Sequence, residues 1–349
     1  MENKRTELST VGEFGLIEQL TKDIELKNKN SLYGIGDDAA VIYSNSEESI
    51  LISTDLLIEG VHFNLMYTPL KHLGYKAVVA NISDIYAMNG VAEQITVSIA
   101  VSNRFPSEAI EELYEGIKKA CTIYHVDLVG GDTTSSLTGL MVSITAIGRA
   151  NNEAIVYRKG ANENDLIVVT GDLGAAYLGL QILEREKEVY KANPAIQPDL
   201  EGYDYLLERQ LKPEARKDII GFLKELNVKP TAMIDISDGL ASEILHLCKN
   251  SELGCNIYND KVPIDTKVST TAIDFNLDPI TCALNGGEDY ELLFTIKQGD
   301  YEKIKGNPHM TVIGHMTQKN AGSYLIDKQG SAFPIKAQGW NHFIGSTEK

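Results

Sequence analysis

The chain is poor in cysteine and in positive charge, and it has no long apolar run. Its four cysteines, Cys121, Cys248, Cys255 and Cys282, are scattered without a C-x-x-C pair, so neither a zinc site nor a disulfide framework is signalled and they read as reduced core thiols. No stretch approaches the roughly 18 apolar residues of a membrane span, and the opening residues are too polar for a signal peptide. A cytoplasmic location is expected. Basic side chains number 32 against 49 acidic ones, a formal net charge of −17, and such a surface repels the phosphates of nucleic acid. The familiar nucleotide signatures are also missing. There is no G-x-x-x-x-G-K-[ST] and no H-R-D with D-F-G, so any nucleotide site must be of another kind.

What is present is an ordinary globular composition, 43% hydrophobic over 349 residues, enough for about two domains with a core each. "GEFGLIEQLTKDI" has helical spacing, "AAVIY" and "SILISTD" read as strands, and "PLKHLGYKAVVANISDIYAM" is a long helix opened by Pro69. A strand at "QITVSIAV", a helix after Pro106 ending near Cys121, and a strand pair around "VDLVGGDTTSSLTGLMVSITAIGRA" follow. The polar, turn-rich "RANNEAIVYRKGANEND" marks a domain boundary, giving residues 1–150 and 151–349. Beyond it, "DLIVVTGDLGAAYLGLQIL" and "TAMIDISDGLASEILHLCK" each pass from strand through a glycine turn to helix, and "YELLFTI", "MTVIGHM" and "SYLID" are strand-like. Both halves mix strands and helices, an α/β (α+β) class. "KEVYKANPAIQPDLEGYD" is the best candidate for a mobile loop.

The chemistry begins at "GIGDDAAVI", where Asp37 and Asp38 stand behind two glycines and ahead of an apolar run. The formal match to a dinucleotide fingerprint fails on context, because a polar stretch precedes it and a strand follows. A tight turn is the plain alternative. What favours a site is recurrence: Asp55 in "STDLLIEGVHF", Asp132 in "GGDTT", and Asp235 and Asp238 in "IDISDG" all stand at strand ends or glycine turns. Asp84 lies on an otherwise largely apolar helix, where a charge is costly unless it is paired or holds a metal. No histidine or cysteine cluster accompanies these aspartates. Oxygen-only donors point to Mg²⁺, an ion that commonly uses substrate phosphates among its ligands. The glycines, threonines and Asp132 of "VGGDTT" suit such phosphates.

"GIGDDAAV", "STDLLIEGVHF", "KAVVANISDIYAMNG", "GGDTT", "IDISDGLASEI" and "GGEDYELLFT" occur in the order and approximate spacing of the thiamine-monophosphate kinase family, which the chain resembles over nearly its whole length. Several of these motifs belong to a wider superfamily with aminoimidazole ribonucleotide synthetase, selenophosphate synthetase and a hydrogenase maturation protein. The resemblance implies an N-terminal α/β domain that dimerises, a C-terminal α/β domain that completes the active site, and transfer of the γ-phosphoryl of ATP to thiamine monophosphate. That reaction is the last step of thiamine diphosphate biosynthesis. Carried over by position, it implies metal ligands at Asp38, Ser53, Thr54, Asp55, Asp84, Asp132, Asp235 and Asp238, with Asp38, Asp55, Asp84 and Asp132 catalytic through several Mg²⁺ ions. It places ATP on Tyr124, Gly131, Asp132, Arg158 and Ser237, and thiamine phosphate on His62, Glu288 and Trp340.

Each of these residues also has a plainer reading. Ser53 and Thr54 could cap a strand, His62 could be a structural donor, and Arg158, Glu288 and Tyr124 have ordinary surface roles. Trp340, the single tryptophan, could anchor a core, although a thiazolium cation is a natural partner for its ring. Asp37 is expected to serve the turn, and Asp172 is given no role. "MNGVA" departs from the family pattern after the Asp84 helix, which touches only the local turn. A selenophosphate synthetase would need a reactive cysteine near its start and the hydrogenase protein one at its end, and neither is here. An aminoimidazole ribonucleotide synthetase-like enzyme and a non-catalytic acidic cation-binding protein remain as alternatives. The expected partners are ATP, thiamine monophosphate and a second copy of the chain, with no nucleic acid and no membrane.

Overall fold

In the computed structural model, which describes residues 8–338, the chain builds two β-sheets and the helices that cover them. The first sheet holds β1 (Ser31–Tyr33), β2 (Ala40–Tyr43), β3 (Glu48–Ile58), β4 (Val91–Val101), β5 (Asp127–Ser135) and β6 (Met141–Asn151), in the order β1-β2-β3-β6-β4-β5. Its strands pair antiparallel except β4 with β5. A parallel pair needs a crossover, and helix Ser107–Tyr124 supplies it. The second sheet holds β7 (Leu166–Thr170), β8 (Ala232–Asp235), β9 (Leu253–Tyr258), β10 (Leu292–Ile296), β11 (Met310–Gln318), β12 (Ser323–Ile326) and β13 (Ala332–Pro334). Its order is β13-β12-β9-β11-β7-β10-β8, which leaves β8 at one edge.

Helix Leu70–Ala87 is the element that positions the site. Pro69 at its cap presets the backbone angle, and no proline or glycine pair interrupts the run that follows. Fourteen of its eighteen residues are buried, because it is packed by β3, β4 and β6, by helix Ser107–Tyr124 and by β8. The two helices touch backbone to backbone where they cross. A Cβ on Gly74 would stand 2.0 Å from the Leu113 carbonyl, and one on Gly116 would stand 1.9 Å from that of Lys71. Leu51, Ile82, Ile85, Ile95 and Ile144 fill the space beneath, each contributing about 1.5–3 kcal/mol when fully buried.

These helices cover one face of the first sheet. The other face carries Thr54, Leu56 and Ser98, which are exposed, beside half-buried Thr145, and every residue of β5 is exposed. Two sequence expectations change. Helix Ala175–Ala192 runs through all of "KEVYKA", held by Lys187 on Glu184 and by Lys191 on Glu188 at 3.0 Å, so the loop is shorter than its composition suggested. Strand β9 emerges from "LGCNIY", too short a run to separate from the preceding helix by periodicity. No described helix is long and apolar enough to cross a membrane, and the four cysteines form no disulfide.

Candidate active site

Three carboxylates from three separate elements converge. Asp38 comes from the bend ahead of β2, Asp84 from the helix that crosses under the first sheet, and Asp235 from the last residue of β8. One oxygen of each lies within 4.8 Å of the others. Short hydroxyls hold two of them: Ser53 Oγ donates to Asp84 Oδ2, and Ser83 Oγ donates to Asp235 Oδ2 at 2.6 Å. Asn81 accepts the Asp55 N–H at 3.0 Å and so locks the end of β3 to the same helix. Asp37 and Asp38 divide their work. Asp37 accepts the N–H groups of Arg158 at 3.1 Å and of Asp38 at 3.2 Å, fixing the bend. Asp38 turns inward, where Arg158 Nη2 donates to its Oδ1 at 2.6 Å and its buried Oδ2 has no hydrogen-bond partner.

The cluster is electrostatically expensive. Burial, then the charges of Asp55, Asp235 and Asp38, hold Asp84 well above the ordinary carboxylate range. Burial and the charge of Asp38 push Asp235 up to about 7. Burial raises Asp38 against the pull of Arg158, and burial followed by the charge of Glu13 raises Asp55. One guanidinium therefore faces several buried carboxylates. An all-oxygen donor set, crowded within a few ångströms and retaining an unpartnered buried oxygen, fits a hard divalent cation.

The other residues named from the sequence fall into three groups. Ser53, Asp55 and Arg158 border the cluster, and Ser237 and Asp238 follow Asp235 after Ile236. His62 accepts the Ile58 N–H on Nδ1 at 3.0 Å, within the bend after β3. Glu288 sits at φ +58° in a loop tied to Ser237, whose carbonyl accepts the Glu288 N–H at 2.6 Å. Its neighbour Gly287 must lack a side chain, because a Cβ there would stand 2.6 Å from the Ser237 carbonyl.

Thr54, Gly131, Asp132 and Tyr124 lie elsewhere in the chain. Thr54 is on the open face of β3, donating to the Ile144 carbonyl at 3.1 Å. Register places Asp132 opposite Ser98, Ser98 opposite Ser143 and Ser143 opposite Leu56. Asp132 is thus three strands, about 14 Å, from the row of β3 next to Asp55. Tyr124 is buried, its hydroxyl donating to Glu214 at 2.5 Å and accepting the Ala215 N–H at 2.9 Å. Trp340 lies outside the described residues.

Two residues went unremarked in the sequence. Tyr114, on helix Ser107–Tyr124, lines a hollow of about 530 Å³ with Gly131 and Asp132, the position in which Tyr124 was expected. Helical periodicity alone gives both tyrosines as candidates to face β5. Glu243 is buried in the first turn of helix Leu240–Ser251 and accepts the Asp238 N–H at 3.0 Å, so it fixes the S-D-G turn. Burial and the charge of Asp238 raise it well above its ordinary value. A glutamate just after "SDG" was a legible sign, as acidic residues favour helix N-termini.

Comparison with known proteins bears on this geometry. Residues 36–150 match the family described as AIR synthase related protein, N-terminal domain. The thiamine-monophosphate kinase of Bacillus subtilis (strain 168) is 32% identical over 336 residues, 95% of this chain and 99% of that protein. That of Buchnera aphidicola subsp. Schizaphis graminum (strain Sg) is 36% identical over 338 residues, with 95% and 99% covered. A solved structure of AaThiL complexed with AMPPCP and TMP superposes with a TM-score of 0.83 at 31% identity, covering 98% of this chain and 100% of that one. With identity above 30% across nearly the full length of such relatives, and with the aspartates that suggested the resemblance gathered at one place, the chain belongs to the thiamine-monophosphate kinase family.

Proposed function

We propose that this protein transfers the γ-phosphoryl group of ATP to the phosphate of thiamine monophosphate, giving thiamine diphosphate by direct in-line attack. The observation that carries the reading is the convergence of Asp38, Asp84 and Asp235, with an unpartnered buried oxygen, in a chain whose relatives bear that name. Asp38, Asp84 and Asp235, with Asp55 and Asp238 beside them, would hold Mg²⁺. Bound there, Mg²⁺ supplies positive charge that neutralises two polyanionic substrates and the transition state between them. Ser53 and Ser83 orient the carboxylates, and Arg158 supplies a further cation for phosphate. A phosphate monoester is already largely anionic near neutral pH, so the attacking oxygen needs no protein base. The serines of the cluster, Ser53 and Ser83, spend their hydroxyls as donors to Asp84 and Asp235, in keeping with transfer without a phosphoenzyme.

The division into an N-terminal unit of residues 1–150 and a C-terminal unit of 151–349 belongs to this proposal, as does a homodimer. An edge strand exposed along its whole length and an uncovered sheet face need a partner, and a twofold dimer supplies one. Such pairing would also account for Gly131 and Asp132, which lie away from the aspartate cluster within one chain. An assay for ADP release tests the activity. Release that depends on both thiamine monophosphate and Mg²⁺ is expected; release unaffected by thiamine monophosphate, or none at all, contradicts it. Light scattering at micromolar concentration should show twice the chain mass, and a monomer would overturn the assembly.

A further inference from the structure

A second polar cluster, of buried Lys76 and Gln210 around a Glu288 side chain that is 31% exposed, lies where the two sheets' elements meet. Glu288 is held at both oxygens: Lys76 Nζ reaches Oε1 at 2.7 Å and Gln210 Nε2 donates to Oε2 at 2.8 Å. Lys76 Nζ also donates to the Gln210 carbonyl at 3.1 Å, closing a three-residue ring. Lys76 is 5% exposed and Gln210 6%. Lys76 belongs to the helix that carries Asp84, two turns earlier, while Glu288 is joined through its N–H to Ser237 beside Asp235. The cluster is therefore built onto the same elements as the carboxylate site.

One atom in it is unfinished. Gln210 Oε1 is buried and has no hydrogen-bond partner. Turning the amide over would not help, since it would set the carbonyl oxygen against the Glu288 carboxylate; the charge of Glu288 fixes which end is which. A buried acceptor left open beside a fixed carboxylate asks for an N–H donor from a ligand. The thiazolium nitrogen of thiamine monophosphate carries no hydrogen, and its phosphate is an acceptor. The exocyclic amine of its pyrimidine is the N–H donor of the molecule.

We propose that Gln210 is a specificity residue for the aminopyrimidine end of the substrate, its Oε1 accepting from the exocyclic amine, and that Lys76 is a positioning residue that fixes Glu288 and Gln210 for that contact. This rests on the function proposed above and adds which chemical group of the substrate is read, and by what. Only the substrate contact is new; a ring of hydrogen bonds needs no covalent step.

The test titrates three ligands into the full-length protein with Mg²⁺: thiamine monophosphate, the analogue in which hydrogen replaces the exocyclic amine, and ATP. The wild type is expected to bind thiamine monophosphate at least about tenfold more tightly than the analogue. Gln210→Leu should bind both as weakly as the wild type binds the analogue, with ATP affinity within about twofold of wild type. Lys76→Met should weaken thiamine monophosphate several-fold while Lys76→Arg restores most of the loss, and neither should move ATP. Thermal melts run alongside, since a purely structural role would weaken both substrates together. If a variant fails to fold, the wild-type preference decides by itself: no discrimination against the analogue overturns the proposal. So does a Gln210→Leu protein that folds and keeps the full preference. Either result leaves the kinase reading standing if thiamine monophosphate still binds and turns over, whereas a wild type that binds no thiamine monophosphate removes both.

Discussion

The molecule buries two groups of carboxylates and treats them differently. In the second sheet, Glu291 meets Arg209 at 3.1 Å and Arg216 at 2.7 Å and accepts from Thr170 at 2.5 Å. Around it, Asp289 accepts the Gly174 N–H at 2.9 Å with Arg209 at 3.9 Å, and Asp172 accepts from Tyr205 at 2.7 Å. Three acids thus share two guanidinium groups, two hydroxyls and a backbone N–H. At the first sheet, Asp38, Asp84 and Asp235 share one guanidinium, with Asp37 and Asp55 adding charge rather than relieving it. Taking charge out of water is tolerated when it is paired and hydrogen-bonded. The first group is the better-compensated one, two cations against three acids, although the buried Asp289 Oδ1 and Arg209 Nε have no hydrogen-bond partner. The second is short of positive charge, and that shortage, not acidity as such, distinguishes a site from a buttress.

Substitutions that remove one charge from each group should have opposite consequences. Asp84→Asn is expected to cut turnover roughly 10³- to 10⁵-fold, about 4–7 kcal/mol of barrier, while the protein without added metal melts no lower than wild type because a repulsion has been removed. Stabilisation by added Mg²⁺ should shrink with it. A coupled ADP assay and paired melts check this, and near-normal turnover at saturating Mg²⁺ would take Asp84 out of the site. Arg209→Met should do the reverse, costing about 3–5 kcal/mol of stability in urea unfolding by leaving Asp289 without its nearest cation. A loss below about 1 kcal/mol would mean that the group around Glu291 is not the joint described.

Much of this was readable beforehand, for a physical reason. Strand-to-turn-to-helix patterns at "TAMIDISDGLASEI" and the Pro69 helix depend on local periodicity and capping, and both elements stand where the pattern put them. Asp84 was conspicuous because a charge on an apolar helix must be explained. Long-range pairings left no such mark. That Arg158 would meet Asp38 at 2.6 Å, 120 residues away, follows from how the segment after β6 passes the bend before β2. Nor could spacing separate Tyr114 from Tyr124, which the fold sends to different surroundings. Gln210 was invisible, since an amide on a short helix means nothing until its neighbours are known.

The smallest expected effect sharpens the contrast through pH. Asp289 is pushed up to about 7, first by burial, with Arg209 and the Gly174 N–H opposing and the charges of Glu291 and Asp172 reinforcing it. An ordinary aspartate in the unfolded chain titrates near 3.8. Between those values the folded protein holds a proton that the unfolded chain has released, so stability from this residue is greatest at low pH and declines as pH rises towards about 7. Asp289→Asn removes the titration yet keeps an oxygen for the Gly174 N–H. Relative to wild type, the variant should therefore gain about 1–3 kcal/mol in going from pH 5 to pH 8, read from urea unfolding at each pH. Arg209 sets the size of the gain: the better it compensates Asp289, the smaller the slope. A variant whose difference from wild type is the same at both pH values would show Asp289 ionised throughout, fully paired by Arg209, and the two groups would then differ even more sharply in how their charge is met.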